Sequence, residues 1–272
     1  MPTHILAMAA VNNLPCSPQD RVFLGEGLFE TIRVDNGRCC YPRQHWQRLQ
    51  QSALALNIPF EVSLAAWLEH LLAAIKASGV QDGGIKVLLT SGHAPRGLAE
   101  QSTVSYLTFN AFSGSSPGAP LSLVTASWLR DAHNPVYRLK SINYLESIIA
   151  RRQALAAGAD DVLFFNLTNH ATETTIANLF LINDGQLVTP ALTSGILPGI
   201  IRSRLIRLCT DAGVPCLETD VDSAAIFNAD AVMVTNALQR IRLVKSLDGI
   251  PLACTHKLIA RLQELLIHDN KA

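Results

Sequence analysis

"RLKSINYLESIIARRQALAAGADDVLFFN", Arg138 to Asn166, sets a lone lysine ahead of a helical pattern that runs into an apolar strand. Lys140 follows an irregular, proline-bearing segment, and Ile142, Leu145, Ile149 and Leu155 recur at roughly helical spacing from about Ser141. "DDVLFFN" reads as a buried strand. A surface lysine is the bland account of Lys140. The sharper one is an amine placed to attack a carbonyl, because lysine forms Schiff bases when burial or a neighbouring cation such as Arg138 lowers its pKa. Tyr144, four residues on, is expected on the same helical face, where its phenol meets whatever the lysine holds.

Outward from that stretch, strands and helices mix in both directions. "THILAMAAV" reads as a strand, and "LFETIRVDNGRCCYP" as a hairpin turning at Asn36-Gly37. "RQHWQRLQQSALALNI" is helical, with Trp46, Leu49, Ala53 and Leu56 on one face, and "SLAAWLEHLLAAIKASG" is a second helix ended by Gly79. "GIKVLLTSG" and "STVSYLTFNAF" are strands. Beyond lie a strand at "LSLVTAS", a hairpin at "TIANLFLINDGQLVTP", helices at "GIIRSRLIRLCTDAG" and "CTHKLIARLQELLIHD", and a core strand at "DAVMVTNA". "SGSSPGAP", 113–120, is small, turn-prone and free of periodic hydrophobics, which makes it the linker. The expected class is mixed α/β in two domains, 1–112 and 121–272, the second carrying Lys140.

Composition narrows the function. The chain has 272 residues, 49% of them hydrophobic, and its 22 Lys+Arg balance its 22 Asp+Glu. That balance argues against a nucleic-acid binder or a membrane-surface protein, and favours an oligomer that buries part of its surface. No segment is apolar enough to span a bilayer. The six cysteines form no CxxC pair and lie near no histidines at zinc spacing, so no metal site is expected. With no signal peptide ahead of them they read as reduced thiols of a cytoplasmic protein.

Nucleotide and hydrolase motifs are missing: there is no GxxxxGK[ST], no strand-borne GxGxxG and no GxSxG. "SGILPGIIRSRL", 194–205, brackets Pro198 with two glycines before a helix start, a seat for a phosphate group or ordinary capping. Arg48 in "HWQR" is an arginine able to clamp a phosphate, or a solvated one. Glu173 in "HATETTIANLF" enters an apolar strand, which is costly for a carboxylate unless it is paired; it reads either as an exposed hairpin-end residue or as a carboxylate facing a protonated heterocycle nitrogen, a use such groups have in pyridoxal enzymes. Each signal is weak alone. Together they supply an amine, a phosphate seat, an acid for a ring nitrogen and a phenol for a ring oxygen.

In their order these motifs resemble the fold-type IV pyridoxal phosphate enzymes: branched-chain aminotransferases, D-amino-acid aminotransferases and aminodeoxychorismate lyase. The resemblance runs through "GEGLFETIRV", "HWQRL", "LKSINYLESIIARRQALAAGADDVLFFN", "TETTIANLFLI", "GILPGIIR" and "VMVTNA", most of the chain. It implies a D-amino-acid aminotransferase-like fold whose two domains clasp pyridoxal 5'-phosphate, usually in a homodimer. It makes Lys140 the lysine bonded to the cofactor and Glu173 the carboxylate at the pyridine nitrogen. Arg48, the Ile200 and Ile201 backbone and the Asn236-Ala237 turn become the phosphate cup, and Tyr144 the contact to the ring oxygen.

Within that family the chain most resembles aminodeoxychorismate lyase, which makes 4-aminobenzoate and pyruvate for folate synthesis. "GEGLFETIRV" supplies Thr31 as a pocket residue, and "SGHAPRGLA", 91–99, supplies Arg96 for a substrate carboxylate. The lyase loop usually has a second arginine near position 91 and a tyrosine near 98, where this chain has Ser91 and Leu98. "VYRLK" also replaces the small Ala-Gly pair common before the lysine, and "KSINYLE" suits aminotransferases equally. The alternative expectation is therefore a branched-chain or D-amino-acid aminotransferase.

Overall fold

A computed structural model of the chain describes residues 5–8, 20–92, 104–114 and 118–269. The chain divides into two units, Met1–Ser115 with Leu139–Tyr144, and Ser116–Arg138 with Leu145–Ala272. The first crossing falls inside the 113–120 stretch.

The first unit contains β1 (Ile5–Met8), β2 (Gly27–Asp35), β3 (Arg38–Cys39), α1 (Pro42–Ala55), α2 (Leu64–Ser78), β4 (Gly83–Thr90) and β5 (Val104–Ser113). They form one sheet in the order β1-β5-β4-β2-β3. The β2–β3 turn needs two successive positive φ angles, and Asn36 (49°) and Gly37 (69°) are residues that tolerate them. Side chains alternate across the strands. Leu28, Ile32, Ile85, Val87 and Leu89 face a core shared with Leu49 and Ala53 of α1 and Trp67 and Leu71 of α2. Trp67 is fully buried, and its indole N–H is satisfied by the Pro42 carbonyl at 3.0 Å.

The helix expected from about Ser141 starts instead at Leu145, and Lys140 belongs to the first unit rather than the second. β3 covers only the end of β2, pairing Val34 and Asp35. The start of that edge is taken by Leu139–Tyr144: Phe29 N donates to Lys140 O (2.9 Å), Ile142 N to Gly27 O (3.0 Å), and Leu28 bridges Ser141 antiparallel. Unpaired edge amides outcompete the helical spacing, because each otherwise loses a hydrogen bond.

The second unit comprises β6 (Leu121–Thr125), α3 (Leu145–Ala156), β7 (Asp161–Phe165), β8 (Ala171–Thr174), β9 (Asn178–Asn183), β10 (Gln186–Pro190), α4 (Ile200–Asp211), β11 (Cys216–Thr219), α5 (Ser223–Phe227), β12 (Ala231–Asn236), β13 (Arg240–Leu247), β14 (Ile250–Pro251) and α6 (Lys257–Asp269). Its strands run β11-β10-β9-β12-β13-β6-β7-β8, and β8 pairs again with β9. That last pairing, Glu173 opposite Asn178, closes six of the strands into a ring. Inside it pack Leu121, Leu163, Phe165, Leu179, Leu181, Val232, Val234 and Val244. The mixed α/β class expected from the sequence holds. No helix among the described residues is long and apolar enough to cross a membrane.

Candidate active site

In the first unit Lys140 is half-buried, and its Nζ stands 4.3 Å from the centre of the Phe29 ring. It donates to the Tyr144 hydroxyl at 3.4 Å. An aromatic face attracts an ammonium group, and the phenol gives it a directed acceptor. The lysine and tyrosine meet, though across an extended segment and not along one helical face. Tyr144 in turn packs edge-on against Phe29, with centroids 5.1 Å apart. Thr31 follows Phe29 by two residues on β2 and shares its face of the sheet.

The opposite face of β2 carries Glu30, fully buried. A carboxylate there must be paired. Arg48 supplies two donors from α1, Nε to Oε1 at 2.8 Å and Nη2 to Oε2 at 2.6 Å, and His45 Nδ1 lies 2.6 Å from Oε2. Burial pushes the Glu30 carboxyl up, but the charges of Arg48 and His45 and their hydrogen bonds outweigh it and hold the pKa at about 2. Burial is the largest influence on His45 and pushes it down; Glu30 pulls it up, but with the positive charges of Arg48 and Lys140 acting alongside burial the net direction is down. An ionised Glu30 only accepts, so a neutral His45 carries its proton on Nδ1. Glu30 had a legible signal: it is a charge in "LFETIRV" on the same face as Leu28 and Ile32.

In the second unit Glu173 sits at the ring closure. Asn178 Nδ2 donates to its Oε2 at 3.1 Å, Leu197 N donates to Oε2 at 3.2 Å, and Arg130 Nη1 reaches Oε1 at 3.5 Å. Every one of these partners is a donor. Arg130 is itself buried, its guanidinium 3.4 Å from the centre of the Phe164 ring and held by Glu146 through Nη2 (2.9 Å) and Nε (3.1 Å). Trp128 Nε1 (2.9 Å) and the Tyr137 hydroxyl (3.3 Å) donate to the other Glu146 oxygen.

Asn178 also joins Glu173 to the start of α4, since the same Nδ2 donates to Leu197 O at 2.9 Å. Gly199, the N-cap of α4, offers no side-chain cap, and the amides of Ile200 and Ile201 open the helix. Beside Asn178 across β9 and β12 stands Thr235, whose Oγ1 is buried and without a hydrogen-bond partner. The Asn236-Ala237 turn follows directly, tied by Gln239 N donating to Asn236 Oδ1 at 2.8 Å. Sequence reasoning singles out neither Arg130, Asn178 nor Thr235, whose partners lie far away in the chain. Of the remaining candidates, Arg96 lies outside the described residues, and Ser91 is buried with its hydroxyl on the Glu26 carbonyl at 3.2 Å.

Residues 27–247, most of the chain, match the family described as amino-transferase class IV. The chain belongs to the class IV aminotransferase family. Among solved structures it resembles a candidate 4-amino-4-deoxychorismate lyase of Legionella pneumophila, 49% identical over 99% of this chain and 100% of that one, with a TM-score of 0.94. It also resembles 4-amino-4-deoxychorismate lyase of Pseudomonas aeruginosa, at 29% identity over 94% of this chain and 96% of that one, with a TM-score of 0.81. Branched-chain-amino-acid aminotransferase of Escherichia coli is 27% identical over 245 residues, 83% of this chain and 77% of its own length.

Class IV enzymes use pyridoxal 5'-phosphate. The residues fit that group. A buried, unpartnered Thr235 hydroxyl beside an uncapped helix start is what an oxyanion satisfies. A carboxylate that accepts from Asn178, Leu197 N and Arg130 suits a protonated ring nitrogen, and a lysine held by an aromatic face and a phenol suits an aldehyde.

Proposed function

We propose that this class IV protein is a pyridoxal phosphate-dependent 4-amino-4-deoxychorismate lyase, releasing 4-aminobenzoate and pyruvate for folate synthesis. The observation that carries the reading is the likeness to the Legionella chain, which extends over both proteins almost completely at 49% identity. The Pseudomonas lyase supports it at lower identity.

In this reading Lys140 is the catalytic residue and the point of cofactor attachment. Glu173 holds the proton on the pyridine nitrogen, with Arg130 and Asn178 fixing the carboxylate. The amides of Ile200 and Ile201, the Asn236-Ala237 turn and Thr235 hold the phosphate, and Arg48 adds its charge, kept in place by Glu30. Tyr144 contacts the ring oxygen. The bound cofactor supplies an electron sink. Lys140 Nζ removes the C4 proton of the substrate and returns a proton to the enolpyruvyl group as its C–O bond breaks. The ring left behind is aromatic, which drives the step forward. Thr31 and Arg96 are the side chains proposed for substrate. The exposed apolar row Leu145, Ile148, Ile149 and Leu155 on α3 supports a homodimer, and we place the enzyme in the cytoplasm.

A branched-chain aminotransferase is the second reading, favoured by the likeness to the Escherichia coli enzyme. There Lys140 would take the proton from the substrate's α-carbon, and the bound cofactor would supply the electron sink. Feeding aminodeoxychorismate through a coupled synthase to the cofactor-loaded protein separates the two. Catalytic release of 4-aminobenzoate, lost in Lys140→Ala, is the expected result; transamination of branched-chain amino acids without 4-aminobenzoate overturns the lyase reading.

A further inference from the structure

α3 opens with a carboxylate held more firmly than a helix end requires. Glu146 is the acid of its first turn, where the helix dipole alone would favour a solvated negative charge. Instead four donors close on it: Trp128 Nε1 and the Tyr137 hydroxyl on Oε1, Arg130 Nη2 and Nε on Oε2. All of these residues belong to the second unit.

Arg130 is the donor that reaches further. Its guanidinium is buried and serves two acids, Glu146 and Glu173. The division is unequal. Glu146 takes two of its N–H groups, at 2.9 and 3.1 Å, whereas Glu173 takes one, at 3.5 Å. A guanidinium neutralises a carboxylate most fully when it meets it with two parallel N–H groups. With that fork engaged by Glu146, and with the Phe164 and Tyr137 rings 3.4 and 4.6 Å from the guanidinium carbon, Arg130 offers Glu173 a single N–H. That is enough to orient the carboxylate and too little to neutralise it.

We infer that Glu146 is a positioning residue that holds Arg130 back from Glu173, so that Glu173 keeps the negative charge with which it retains the proton on the pyridine nitrogen. The inference rests on the reading above that places Glu173 at that nitrogen. Without the Glu146 charge, the buried Arg130 is left with one acid, and electrostatics draws it into a two-point grip on Glu173. A carboxylate gripped that way stabilises a ring cation less, and the ring nitrogen gives up its proton at lower pH.

The test is a pH titration of the protein loaded with pyridoxal phosphate isotopically labelled at its ring nitrogen, whose nitrogen resonance reports the ring proton directly. In Glu146→Gln the pH at which the nitrogen loses its proton should fall by about one unit, a tenfold weaker hold. Glu146→Gln with Arg130→Met also removes the released cation and should return that pH towards the wild-type value. A merely structural loss would deepen with the second substitution. Glu146→Asp keeps the charge but draws it back by one methylene, and should give a smaller fall; it is read in place of Glu146→Gln if that variant does not fold. Wild-type nitrogen behaviour in the Glu146 variants overturns the inference, and so does a double variant that fails to recover. Glu173→Gln separates this from the reading beneath it. Wild-type nitrogen behaviour in Glu173→Gln puts the carboxylate away from the ring and overturns both. A fall in Glu173→Gln with none in the Glu146 variants keeps Glu173 at the nitrogen and rejects the role of Glu146.

Discussion

Asn178 and Gly199 occupy one space: the Asn178 carboxamide oxygen stands where a Cβ at position 199 would be. The same carboxamide donates to Glu173 and to Leu197 O, so the start of α4 and the carboxylate are positioned by one side chain. Gly199→Ala has to displace Asn178. It should cost about 1–3 kcal/mol of stability, typical of overpacking. Cofactor affinity should fall by roughly tenfold, the equivalent of about 1.4 kcal/mol. Thermal melts and cofactor titration of the refilled apoprotein measure both.

Thr235→Val gives effects of opposite sign. A buried hydroxyl without a partner costs on the order of 1–3 kcal/mol, so its removal should raise the melting temperature of the apoprotein. If Thr235 holds phosphate, the variant binds pyridoxal phosphate more weakly while pyridoxal, which lacks the phosphate, binds as before. Loss of affinity for both would place Thr235 outside the phosphate seat.

Glu173→Gln keeps the shape and removes the charge. Loss of one preorganised electrostatic partner typically costs about 10²–10³ in kcat, and that is the expected drop. Arg130→Met acts through Glu173 and should lower kcat less. Steady-state kinetics with single-turnover traces check whether the chemical step is the one that slows.

Glu30 makes stability depend on pH in a defined direction. Its folded pKa is about 2 against 4.5 for the free group, so the folded state holds the proton less readily than the unfolded chain does. The stabilisation is therefore complete above about pH 4.5 and fades as pH falls towards 2; the shift corresponds to about 3 kcal/mol. His45, pushed below 6.5, adds a loss of the same sign that begins nearer neutrality. Denaturant melts of wild type and Glu30→Gln should differ most at pH 7 and converge in acid. A gap that widens on acidification would contradict this pairing.

Much of the local structure was readable. Asn36-Gly37 turned the first hairpin because only residues tolerant of positive φ fit there, and Ser63 and Gly79 bounded α2 by capping at 3.2 Å and by a left-handed C-cap of 68°. What escaped is non-local. The Ser141–Tyr144 stretch has helical spacing, but the bare edge of β2, over a hundred residues upstream, overrides it. Glu173 was visible as a charge in an apolar strand; its partner Arg130, 43 residues away, was not.

The edge-strand position of Lys140 has a consequence for biosynthesis. Leu139–Tyr144 completes a sheet whose other described strands all lie before Ser115, so the chain leaves the first unit, returns once and leaves again. At roughly 5–20 residues per second, the ribosome needs about one to five seconds to make the stretch that separates them. During that interval the Gly27–Phe29 end of β2 lacks the partner that Leu139–Tyr144 will supply, and it invites pairing with other nascent chains. A truncation ending in the 113–120 linker would freeze that state, and the fragment would lack Lys140. Such a fragment should aggregate, and a synthetic peptide spanning 138–145, added in trans, should restore its solubility.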